Sequence, residues 1–158
     1  NTLQAVRLTS VPLNSASLQD TPPADGRYYY RVTTVNLANT ESGLSSEVWA
    51  VSDITPPVAL SAVYRPQTNY DTATGRFGRT LVEVTLTMSE PLLTTPFFSL
   101  TPNGGLPIIV DLRPSGSNTY AGAFALTEST PSGVANAILS ARDPAGNRLE
   151  IGERGPTA

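Results

Sequence analysis

The strongest constraint on the fold is an alternation of apolar and polar residues, with a period of two, that recurs along almost the whole chain. In TLVEVTLTMSE, Thr80 to Glu90, the side chains of Val82, Val84, Leu86 and Met88 fall on one side of an extended backbone, and those of Glu83, Thr85 and Thr87 on the other. Successive side chains of a β-strand point to opposite faces, so this pattern buries one face and wets the other. Comparable stretches are LQAVRLTSV, SASLQD, RYYYRVTTVN and SEVWAV in the first third, then VALSAVYRP, FFSLTP, PIIVDL, TYAGAFALT, VANAILSAR and RLEIG. Thr, Val, Pro and Gly are abundant, and turn residues separate the stretches at intervals of about 8–12 residues. The expectation is an all-β chain, about four strands and then about seven.

Composition narrows the chemistry. An apolar fraction of 39% against 15% charged is that of a chain able to build a core. Cys, His and Lys are all absent, and the ten basic residues are all Arg. That excludes disulfides, thiolate or imidazole metal sites, a Cys/His nucleophile pair, a Schiff base and a lysine isopeptide cross-link. No Gly-x-Ser-x-Gly elbow or phosphate loop is present, so the chain is not expected to be an enzyme. A net charge of −3 with scattered arginines argues against nucleic-acid binding, and no apolar run reaches the roughly 18 residues of a membrane helix. With no charged and apolar leader at Asn1, the chain reads as soluble and as processed or cut from something longer.

The segment SDITPP, Ser52 to Pro57, divides the two groups of strands. Pro56 and Pro57 fix φ and favour extended backbone, which makes this a short, stiff linker with the boundary near Asp53. Residues 54–152, with seven alternating strands, fit an immunoglobulin-like β-sandwich. The tail 153–158 has no apolar anchor and is expected to fray.

Two resemblances refine this organisation. PPADGRYYYRVTTVN and NTESGLSSEVWAVSD resemble the back half of a fibronectin type III domain, so residues 1–53 are expected to form its last four strands, a partial sandwich. By that resemblance Tyr28 is the corner tyrosine, its hydroxyl bonded to nearby backbone, with Tyr30 and Val32 in the core and Tyr29, Arg31 and Trp49 on the outer face. Arg31 against Trp49 is read as cross-strand packing, with a sugar-binding platform as the alternative. Since the first three strands are missing, an upstream segment or a strand from a neighbouring subunit would have to complete the sandwich. Residues 54–152 resemble the bacterial Ig-like repeats of large surface proteins and adhesins, through DITPP, MSEPL, TYAGAF and SARDPAGN.

Under an immunoglobulin-like topology, Asp53, Glu90, Asp143 and Asn147 converge at the end facing the preceding domain, where Asp20 and Asp25 could add a ligand. Three carboxylates and an amide oxygen are hard donors suited to Ca²⁺. The resemblance to adhesin repeats implies calcium at the inter-domain junction. The alternative is that Asp143 and Asn147 bond their own turn while Gly146 supplies a positive φ. The functional expectation is a non-catalytic extracellular structural or adhesive module that spaces or presents other domains of a bacterial cell-surface protein or filament. Its partners would be neighbouring domains or subunits. The alternatives are an accessory module of a secreted hydrolase that contacts glycan, and a strand-exchanging filament subunit.

Overall fold

A computed structural model describes residues 5–149, and among these the chain is all-β with no helix. It divides into two compact units, Asn1–Ile54 and Thr55–Ala158.

The first unit is a single long hairpin. Strands β1 (Gly26–Tyr30) and β2 (Val48–Ser52) pair antiparallel, with Tyr29 opposite Trp49. The ladder continues past them, through an isolated bridge between Val35 and Glu41, to a turn where Asn39 takes a φ of 58°. On the way, the Ser45 and Ser42 hydroxyls accept from the backbone N–H groups of Val32 and Thr34. Of the four strands expected here, LQAVRLTSV and SASLQD are not strands where described. Alternation prepares a segment for a sheet, but a strand also needs an edge to pair with, and residues 5–20 find none. The Tyr28 hydroxyl donates to the Ala24 carbonyl at 3.0 Å. Tyr30 is half-buried and donates to Asp20 Oδ2 at 2.8 Å, whereas Val32 is exposed, contrary to its expected place in a core. None of the described residues of this unit is buried. A two-stranded ribbon with no buried side chain lies below what is stable alone in water, so it depends on further structure to cover it.

The second unit is a two-sheet sandwich. One sheet has the order β3 (Ala59–Pro66), β6 (Thr80–Met88), β10 (Thr119–Leu126), β9 (Arg113–Gly116). The other has β11 (Ala135–Ser140), β7 (Phe97–Pro102), β8 (Ile108–Val110). A small hairpin of β4 (Tyr70–Asp71) and β5 (Arg76–Phe77) joins β3 to β6. The alternation in β6 sets the layer: Val82, Val84, Leu86 and Met88 are buried, and with Tyr120 and Phe124 of β10 they meet Phe98, Leu100, Val110 and Leu112 in one core. The stretch RLEIG begins at an isolated bridge of Arg142 with Arg148, and its residues 150–152 lie outside the described residues, as does the tail 153–158.

In the β4–β5 turn the Thr74 hydroxyl donates to Asp71 at 2.6 Å, and the Ala73 and Thr74 backbone N–H groups donate to its other oxygen. These bonds, the hydroxyl first, hold the Asp71 carboxyl below its usual value of 3.8. A carboxylate with a lowered folded pKa stabilises above its unfolded pKa and loses that contribution as pH falls through the folded one. Between about pH 5 and pH 2, urea-unfolding stability is therefore expected to fall less steeply in Asp71→Asn than in the parent. Equal slopes would remove Asp71 from the acid response.

Candidate functional site

The turn Asp143-Pro-Ala-Gly-Asn147 is built by its own aspartate. The Gly146 N–H reaches the Asp143 carbonyl at 3.2 Å, and the Asp143 N–H reaches the Asn147 carbonyl at 3.1 Å. Pro144 supplies the fixed φ of the second turn position and Gly146 the positive φ, 101°, that a residue with a Cβ resists. Asp143 Oδ1 accepts from the backbone N–H of Gly146 (2.7 Å) and of Asn147 (2.8 Å), and Oδ2 from Asn147 Nδ2 (2.7 Å). Asp143 has no exposed surface. Burial pushes its carboxyl up, but the Asn147 side chain and the N–H groups of Asn147, Gly146 and Ala145 together outweigh that and hold it below the usual range.

Two other segments of the second unit are tied to this turn. The Leu93 N–H donates to the Arg142 carbonyl at 2.8 Å, which binds the loop after β6 to the residue preceding Asp143. Val58 and Ser89 are joined twice, Ser89 N–H to the Val58 carbonyl and Val58 N–H to the Ser89 hydroxyl, both at 2.9 Å. Glu90 thus stands between two anchored positions. Asn147 Nδ2 also lies 3.4 Å from the Thr55 carbonyl, and Pro57 is fully buried, so the lead-in peptide is held as well. Asp53 precedes that peptide by two positions.

Within the second unit, Glu90 and Asp143 each offer a carboxylate oxygen, and these two oxygens lie within 4.8 Å of each other. Asp53 and Glu90 are half-buried. Oxygens sharing one Ca²⁺ at about 2.4 Å are at most about 4.8 Å apart, so the two fit one coordination shell in spacing as well as in hardness. Asp143 Oδ2 accepts one hydrogen bond, which leaves a lone pair for a cation. Asn147 directs its amide N–H₂ at Asp143, so its established part is to orient that carboxylate. Asp20 and Asp25 are engaged within the first unit: Asp20 accepts from Tyr30, and Asp25 Oδ1 from the Ile54 N–H at 2.6 Å. Sequence reasoning overlooked the Ser89 hydroxyl, whose only signal is a serine closing a strand beside Glu-Pro.

The outer face of the first hairpin carries the other group of residues singled out. Tyr29 and Trp49 face each other across the ladder and both are exposed. The cation stacked on Trp49 is Arg27, its guanidinium carbon 4.2 Å from the ring centre, and not Arg31 as the sequence pattern suggested. Arg31, just past the end of β1, pairs with Glu47 at 3.2 Å. Tyr29 faces the indole directly, so the cation reaches it along a diagonal, and Arg27 is the diagonal neighbour left unpaired by a carboxylate.

Fold and site together define an all-β sandwich protein with two carboxylates, Glu90 and Asp143, gathered at one of its turns. No family model, curated protein or solved structure matches it.

Proposed function

We propose that the chain is a non-catalytic structural module of an extracellular or cell-surface bacterial protein, and that Ca²⁺ bound by Glu90 and Asp143 stiffens one end of an immunoglobulin-like sandwich. The observation that carries this reading is the approach of the Glu90 and Asp143 carboxylate oxygens to within 4.8 Å on residues far apart in sequence. Bringing two negative charges together costs free energy unless a cation offsets it, and two loops tied through a metal resist parting. The strand order β3-β6-β10-β9 facing β11-β7-β8 supports the immunoglobulin-like type, because it matches an A-B-E-D sheet against one built on C and F. The hairpin of the first unit, with the Tyr28 hydroxyl on the Ala24 carbonyl, supports a fibronectin type III-like half. The extracellular setting, and neighbouring domains or subunits as partners, follow from the resemblance to adhesin repeats.

Thermal melting of the whole chain in calcium and in EGTA tests the metal. A ligand at about 100 times its Kd stabilises the folded state by about 2.7 kcal/mol, which for a domain near 100 residues raises Tm by roughly 10 °C or more. Magnesium should do less, since its smaller octahedral shell suits this donor set poorly. A Tm that is the same in millimolar calcium and in EGTA would overturn the calcium reading.

A further inference from the structure

On the outer face of the β1–β2 hairpin, Arg27 and Tyr29 stand opposite Val51 and Trp49, and just past the ladder the Arg31 side chain meets Glu47. Glu47 neutralises Arg31. Arg27 is exposed and, among the described residues, forms no ion pair. Its guanidinium lies on the indole instead, 4.2 Å from the ring centre. Stacking fixes the plane of the guanidinium and leaves the N–H groups on its rim pointing into water, a fork already set for a carboxylate. Beside it Trp49 is 57% and Tyr29 49% exposed, although aromatic rings of this size are ordinarily covered.

We infer that Arg27, Trp49 and Tyr29 form a binding face for a uronic-acid sugar, with the Arg27 fork on the carboxylate and the ring edges of Tyr29 and Trp49 against the apolar side of the pyranose. The anionic group follows from charge complementarity to an oriented, unpaired Arg. The small ring follows from the size of the face: even continued to the Val35–Glu41 bridge, a ribbon two strands wide falls well short of the roughly 800 Å² that a stable protein partner covers. Glu47, paired with Arg31 at the end of the hairpin face, adds a negative charge there and disfavours a densely charged polyphosphate.

Affinity gel electrophoresis of the full chain, run in EGTA so that calcium cannot bridge protein and polymer, tests this. Polygalacturonate should retard the protein, and neutral dextran or oligothymidylate should not. Arg27→Gln should weaken retardation about tenfold or more, the loss of one charge-assisted hydrogen-bonding group. Arg113→Gln, on an exposed strand of the second unit, should leave it unchanged. Arg27→Lys keeps the charge and the aliphatic stem but loses the planar fork, and should fall between parent and Gln variant. It also serves if the Gln variant loses its far-UV dichroism. No retardation by polygalacturonate, equal retardation by dextran or oligothymidylate, or full retention of binding by both Arg27 variants would each overturn the proposal. None of these outcomes bears on the calcium melt, which reads a different set of side chains.

Discussion

Asp143→Ala is expected to lower the melting temperature of the second unit even in EGTA, and to remove whatever increment calcium adds to the parent. Two losses combine. The Gly146 and Asn147 backbone N–H groups and the Asn147 amide all donate to this one buried carboxylate, so truncation takes the acceptor of the Asn147 N–H and leaves the Gly146 N–H and the Asn147 amide with only their longer bonds to the Asp143 and Thr55 carbonyls. Leaving buried donors unpaired costs more than removing both partners of a bond. A fall of at least about 5 °C in Tm is expected. Asp143→Asn separates the two losses. It keeps one acceptor oxygen for the turn but brings an N–H₂ toward the Asn147 amide and removes the negative charge a cation needs. The calcium increment should therefore vanish in both variants, while the fall in EGTA should be smaller in the Asn variant. A calcium increment that survives in Asp143→Asn would show that the ion sits elsewhere. Unchanged stability of Asp143→Ala in EGTA would show that the turn holds its shape without its aspartate.

Particular residues explain how far the sequence reached. The alternation in β6 could be read because one face of that strand is buried and the other wet along its whole length, and the proline and glycine of the Asp143 turn declare their backbone angles directly. The approach of Glu90 to Asp143 is a matter of topology and not of local propensity, since strand order places two loop ends near each other. What local pattern could not carry was partnership. Val6 and Leu8 alternate as well as Val82 and Val84 do, yet they are exposed, because pairing depends on an edge elsewhere. The same gap explains Val32, whose alternation is correct but which has no opposing layer, and Arg27, which only the register of β1 on β2 distinguishes from Arg31. The short strands β4, β5 and β9 escaped notice for a related reason: runs of two to four residues offer too little alternation to stand out from turns.

The glycine in TYAGAF is a packing device, and Gly122→Ala is expected to destabilise the sandwich by about 2–3 kcal/mol, enough to lower Tm by roughly 10–20 °C. Gly122 lies in β10 between Tyr120 and Phe124, on the row that faces the core, and opposite Val84 of β6. There the chain crosses from one sheet to the other between β8 and β9, and the Asp111 carbonyl passes over β10. A Cβ at position 122 would sit 2.6 Å from that oxygen and 3.0 Å from Val110 Cγ1. Backbone cannot step aside as the tip of a long side chain can, so the substitution must move the crossover or part the sheets. Ordinarily alanine would stabilise a strand, because glycine loses more conformational freedom on folding. Gly116→Ala in neighbouring β9 isolates that entropic gain: a Cβ there meets nothing nearer than Thr119 Cβ at 3.7 Å, and the change should be neutral or stabilising by about 0.5 kcal/mol. Urea titrations of the two variants side by side make the comparison, with opposite signs expected. If Gly122→Ala unfolds at the same urea concentration as Gly116→Ala, the close approach of the crossover to β10 does not constrain this sandwich, and the strand tolerates a side chain there.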